Sequence, residues 1–196
     1  FAQTLWPDHV FGKSIIGTPE TVSGLKSLDL KGYMKEHYTP DTIVVAAAGN
    51  LNHEEIVAMV RERFGHLTGS KADWRALDTL PRFTPETIYI EKPIEQVNLV
   101  IGAPGYSQLS DDKYKLSILD NVLGGSMSSR LFQEIREKRG LAYSVGSYSQ
   151  SYREGGYFGV YSGTSAKTAE QVIDLVRVEF KNVHKNNITE KELERS

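Results

Sequence analysis

Two side chains seven positions apart, Arg136 and Tyr143, are of types that could do chemistry together. A guanidinium is a permanent cation with five N–H donors, and a phenol is a neutral O–H donor. Donors of this kind stabilise an oxygen on which negative charge develops. Each residue also has an ordinary reading. Most arginines on helices are simply solvated, and tyrosine is a common half-buried strand residue.

The stretch that must position them is Ser128 to Val145. Its first half is helical by pattern: Leu131, Phe132 and Ile135 share one face, and Arg130, Glu134, Lys138 and Arg139 take the solvated one. Lys138 and Arg139 fall in the last turn, where cations complement the helix dipole, and Gly140 stands where a left-handed cap is wanted. The period then changes to two, which predicts a strand with Leu141, Tyr143 and Val145 on one side. Arg136 and Tyr143 thus flank a helix-to-strand junction, a placement consistent with two donors aimed at one point outside a sheet.

The run from Arg136 to Val145, Arg-Glu-Lys-Arg-Gly-Leu-Ala-Tyr-Ser-Val, resembles the second domain of the pitrilysin, insulinase and mitochondrial processing peptidase family of zinc metallopeptidases. Gly12 to Glu20, Gly-Lys-Ser-Ile-Ile-Gly-Thr-Pro-Glu, is similar to a segment late in that family's first domain, and the similarity spans essentially the whole chain. The resemblance implies two similar α+β domains of helices on mainly antiparallel sheets, both incomplete here, closing on a peptide in extended conformation. It implies that Arg136 and Tyr143 face a zinc ion from the second domain and bind the peptide carbonyl and the tetrahedral oxyanion.

The metal motif of that family, an inverted His-x-x-Glu-His, is absent, as is His-Glu-x-x-His. The five histidines, His9, His37, His53, His66 and His184, are isolated in sequence. The resemblance therefore places the zinc ligands and a general-base Glu upstream of Phe1. This chain by itself is expected to bind no zinc and to hydrolyse nothing. The implied partners are a peptide substrate and a related subunit, in a homodimer or heterodimer. A rival reading within the same family is a non-catalytic member that serves as a substrate-binding or structural subunit. Against it stand the presence of both Arg136 and Tyr143 and the short loop Gly-Gly-Ser-Met-Ser-Ser before Arg130.

Composition excludes several other classes. A chain of 196 residues allows one large or two small domains. A net charge of -2 gives no electrostatic reason to expect nucleic acid or an anionic membrane as partner. The absence of cysteine excludes disulfides and suits a reducing compartment, so the expected location is cytoplasmic. The longest wholly apolar run, Ile43 to Ala48, is far too short to span a bilayer. The chain opens on Phe1 rather than Met and stops soon after a capping box at Thr189 and Glu192, which predicts a fragment of a longer protein.

Taken in order, Thr18-Pro19-Glu20 starts a helical stretch that breaks near Ser27 and closes at Pro40. Thr42 to Ala48 predicts a buried strand, and Asn52 with Glu55 caps a helix whose stripe is Ile56, Val57, Val60 and Phe64. Pattern fades between Gly69 and Pro85, which predicts a domain spanning residues 1–72, a linker at 73–86 and a second domain over 87–196. The second half predicts strands at Thr87 to Glu91 and Gln96 to Gly102, and a helix after Ser110 that ends at Gly124-Gly125. A hairpin turning at Arg153-Glu154-Gly155 and an amphipathic helix from Lys167 to Lys185 follow. Ile43 to Phe64 and Tyr157 to Phe180 share one strand–turn–helix spacing, which predicts two similar halves. The aromatic group Tyr148, Tyr152, Tyr157, Phe158 and Tyr161 reads as cross-strand packing before it reads as a peptide groove.

Overall fold

The computed structural model describes residues 1–69 and 82–196, so most of the expected linker at 73–86 lies outside the described residues. The fold is α+β, as the patterning predicts. The chain divides into two compact units, Phe1–Lys13 with Thr79–Ser196 and Ser14–Asp78.

The larger unit is built on a three-stranded antiparallel sheet of β1 (Val97–Gly105), β2 (Ala142–Ser151) and β3 (Gly156–Thr164), in the order β1-β3-β2. β2 and β3 form the expected hairpin. β1 continues through Pro104, where the sequence reading ended it. Proline is tolerated there because β1 is an edge strand, and its missing N–H can face away from the ladder. Alternation divides the sheet into two faces. Val145, Phe158 and Val160 point to a core completed by Leu116 of α5 (Asp112–Asp120), Leu123, Leu131, Ile135, and Val172 and Val176 of α6 (Ala169–Asn186). The last two are 1 % exposed and stand four residues apart, one helical turn, so α6 lays a single stripe on the sheet. Burying side chains of this size contributes about 1.5–3 kcal/mol each.

The opposite face is aromatic. Helix α1 (Ala2–Leu5) and the turn after it bring Phe1, Trp6 and Phe11 onto Tyr148, Tyr152 and Tyr157, with Phe11 stacked on Tyr152 at 4.3 Å and Phe1 edge-on to Tyr157 at 5.3 Å. Trp6 is 2 % exposed. Burial raises the phenol pKa of Tyr148 and Tyr157. Phe158, by contrast, faces the helices and meets Phe180. The tyrosines therefore pack, and their cover is the start of the chain itself.

Two further polar ties hold the helical layer. Asp120 accepts from Ser147 Oγ at 2.5 Å and from Ser149 Oγ at 3.2 Å, which joins α5 to β2. Arg130, expected on a solvated face, instead grips Glu192 of α7 (Glu190–Leu193) through Nε–Oε1 at 2.6 Å and Nη2–Oε2 at 2.7 Å. The error is one of range, since a pairing partner 62 residues away leaves no local trace. Arg130, followed by donors of Thr189, holds the Glu192 carboxyl down at about 2 from its ordinary 4.5. A carboxyl depressed in the folded state contributes stability that is complete above its unfolded pKa and lost as pH falls through the folded one. The window is therefore pH 4.5 down to about 2. Partial exposure screens the pair to about 1 kcal/mol. In thermal melts of the full-length protein, Glu192→Gln should flatten the acid dependence of the midpoint across that window. Identical pH slopes would mean that the pair contributes nothing.

The smaller unit contains α2 (Pro19–Gly24), α3 (Ser27–His37) and α4 (His53–Phe64). Thr18 forms a capping box with Thr21, and Asn52 Oδ1 accepts from Glu54 N at 2.9 Å, so both predicted starts are the actual ones. Two predicted strands are absent, Thr42 to Ala48 and Thr87 to Glu91. An extended run becomes a strand only when a neighbour takes its N–H and C=O groups. Neither run has such a neighbour among the described residues, and Val44 and Tyr89 are each 91 % exposed. The strand–turn–helix echo consequently survives only in its helices, α4 and α6.

Candidate functional site

The junction from Arg130 to Val145 is shaped by two departures from regular geometry. Phe132–Glu137 is a π-helical turn, in which Lys138 N donates to Gln133 O, five residues back, at 2.9 Å. Gly140, at φ +60°, then closes the helix: its N–H bonds Arg136 O, and Leu141 N bonds Ile135 O. The left-handed cap is the predicted one, but the wide turn beneath it has no signature in the residue pattern. Such turns often mark functional positions.

The second departure lies in β2. Ala142 faces Thr164 and Ser144 faces Gly163, so Tyr143 is an extra residue with no partner across the ladder. A bulge of this kind re-aims one side chain. It also overturns the expected facing, because Ala142 and Val145 turn into the core while Tyr143 is 81 % exposed. Leu141, Tyr143 and Val145 do not share a side.

Both candidate donors are left uncommitted. Lys138 and Arg139 are drawn to Glu134, with Arg139 Nη1–Oε2 at 2.5 Å. These two cations, Lys138 first, hold the Glu134 carboxyl below its ordinary range. Arg136, on the same helix, has no carboxylate partner among the described residues. Its Cζ lies 4.8 Å over the Phe132 ring, which supports the cation without using its N–H donors. The Tyr143 hydroxyl makes no hydrogen bond among the described residues. It stands on the wall of an open depression of about 420 Å³ lined also by Glu95, Gln96, Gly140, Gly163 and Ser165. Arg136 is outside that lining. Gln96 belongs to the site by position, and the sequence carried no sign of it.

The histidines are dispersed. His9 Nδ1 accepts from Phe11 N at 3.2 Å, and His37 packs on Tyr33. Among the described residues no group of three or more His, Cys, Asp or Glu could hold a metal ion, so this donor set does not fit zinc, which requires three or four converging ligands. No helix among the described residues is long and apolar enough to cross a membrane.

Residues 25–196 match the family described as the peptidase M16 inactive domain. The chain belongs to the M16 peptidase family. Two curated members, each called an uncharacterized zinc protease, come from Streptomyces coelicolor (36 % identical over 100 % of this chain and 44 % of that protein) and Bacillus subtilis (37 % identical, 100 % and 47 %). The chain thus spans less than half the length of these relatives. A crystal structure of a peptidase M16 inactive domain from Pseudomonas fluorescens superposes with a TM-score of 0.87 at 26 % identity, covering 99 % of this chain and 47 % of that one. The fold alone is shared with a chain of complex III2 from Candida albicans, TM-score 0.81 at 19 % identity, covering 99 % and 48 %. The resemblance read from Arg136 to Val145 and from Gly12 to Glu20 is borne out as M16 membership.

Proposed function

We propose that the chain is part of a zinc-dependent endopeptidase that cleaves peptides in extended conformation, and that it supplies Arg136 and Tyr143 as transition-state donors. The observation that carries this reading is the pair of uncommitted donors on either side of Gly140. Every other cation of that helix is neutralised by a carboxylate, and a ladder irregularity turns the phenol outward. Arg136 would hold a peptide carbonyl by charge-assisted hydrogen bonds, and the Tyr143 hydroxyl would donate to the oxygen as it becomes anionic. The described residues do not hold the metal, so its ligands and the general base are proposed to lie in sequence upstream of this chain. The proposed organisation along the sequence is the end of a first domain (1–72), of which Phe1–Lys13 belongs to the larger compact unit, a linker (73–86) and part of a second domain (87–196). A cytoplasmic location is supported by the cysteine-free composition.

A second reading is favoured by the family description as an inactive domain. On that reading the protein is a non-catalytic subunit that binds substrate or supports an active partner, in a homodimer or heterodimer. One assay separates the two. The full-length protein should cleave an extended fluorogenic peptide, lose that activity to a chelator and regain it with added zinc. Peptide binding without cleavage would establish the non-catalytic reading instead.

A further inference from the structure

The outer face of the sheet has two halves that differ in chemistry. In the cross-strand register, successive rows on this face are Pro104–Tyr157–Gln150, Gly102–Gly159–Tyr148, Val100–Tyr161–Gly146 and Asn98–Gly163–Ser144. The first two rows lie beneath Phe1 and Trp6. The last row is polar, open and adjacent to the Tyr143 bulge. Over it lies the Gln96 side chain, whose Nε2 reaches Asn98 Oδ1 at 3.4 Å.

Gly163 is the floor that makes this possible. A Cβ there would collide with the Gln96 amide and come within 2.8 Å of Ser144 Oγ. Gln96, Asn98 and Ser144 therefore share a shallow polar shelf, and Gln96, Gly163 and Tyr143 line the same depression. The three shelf side chains are uncharged, Glu95 is the one charged residue among the described residues lining the depression beside them, and Val100 and Tyr161 beyond are 44 % and 42 % exposed.

We infer that this shelf is a main-chain binding site for the peptide, and that Gln96 is its principal contact. A primary amide presents a donor and an acceptor side by side, which is the complement of a peptide group. Three uncharged polar side chains over a glycine floor address the main chain of a ligand, while Glu95 at the edge of the depression disfavours an acidic side chain there. They suit the backbone of an extended peptide that passes from the Tyr143 wall towards Tyr161. The inference rests on the peptidase reading for the identity of the ligand, but it places binding on residues distinct from Arg136 and Tyr143. Gln96 is accordingly a positioning residue whose contacts form in the bound state, before the bond is cut, so it acts on affinity more than on turnover.

The test uses the full-length protein and one extended fluorescent peptide, read both by anisotropy and by steady-state cleavage. Gln96→Ala should weaken binding and raise KM about tenfold, with kcat changed less than threefold. Gly163→Ala, which displaces the Gln96 amide, should reproduce that effect, while the thermal midpoint of Gln96→Ala stays at the wild-type value. Normal binding and KM in Gln96→Ala would overturn the inference and leave the peptidase reading intact. A protein that cleaves nothing, yet binds the peptide about tenfold more weakly as Gln96→Ala, would uphold the shelf and remove the peptidase reading. A loss of kcat alone would also overturn the inference, because it would put Gln96 among the reacting groups.

Discussion

Tyr143→Phe in the full-length protein should lower turnover by about 10²–10³, or roughly 3–4 kcal/mol of transition-state stabilisation. The substitution removes one O–H donor and keeps the ring. Stability should be unchanged within a few tenths of a kcal/mol, since the side chain is 81 % exposed and its hydroxyl has no partner among the described residues to lose. KM should move less than kcat, because a hydrogen bond to an oxyanion strengthens only as charge develops. The bulge sharpens the expectation: a tyrosine that is unpaired in the ladder and turned out of the core has no packing role whose loss could imitate a catalytic defect. Measuring kcat, KM and the thermal midpoint on the same variant tests it. Turnover within twofold of wild type would remove Tyr143 from the site and leave Arg136 as a solvated arginine.

Ile135→Ala should be the most destabilising single change near the site. Ile135 is 0 % exposed, sits inside the π-helical turn and packs in the cluster with Leu131, Val145 and Val172. Deleting three carbons from such a position costs about 2–5 kcal/mol, as lost transfer energy plus the cavity left behind. The neighbouring Arg136→Met should leave the urea midpoint near wild type, because Arg136 is exposed and makes no ion pair among the described residues. The two variants together distinguish a turn held by its core residue from one held by its cation. A small shift for Ile135→Ala would mean that the wide turn collapses to fill the space and is not set by packing.

Local energetics made much of the chain legible in advance. Thr18, Asn52 and Thr189 cap the helices they were expected to cap, because a side chain that accepts a backbone N–H two or three residues on is encoded within one turn. Gly140 at φ +60° and the hairpin at residues 153–155 are equally local. The run from Arg136 to Val145 also sufficed for the family. The failures share one physical character, dependence on partners far along the chain. Whether Thr42 to Ala48 or Thr87 to Glu91 becomes a strand depends on a neighbour to complete its hydrogen bonds, and apolar content says nothing about that neighbour. Arg130 looked solvated until Glu192 arrived from another helix. Above all, strict alternation put Tyr143 on the side of Val145. A one-residue slip between β2 and β3 reverses that facing, because the side-chain period in a strand is two and a single extra residue exchanges the faces. The sequence by itself determined which donors the chain carries and which fold holds them. The tertiary structure alone decided that Arg136 keeps its guanidinium over a ring, that Tyr143 turns outward, and that Gln96 lies on a glycine floor beside it.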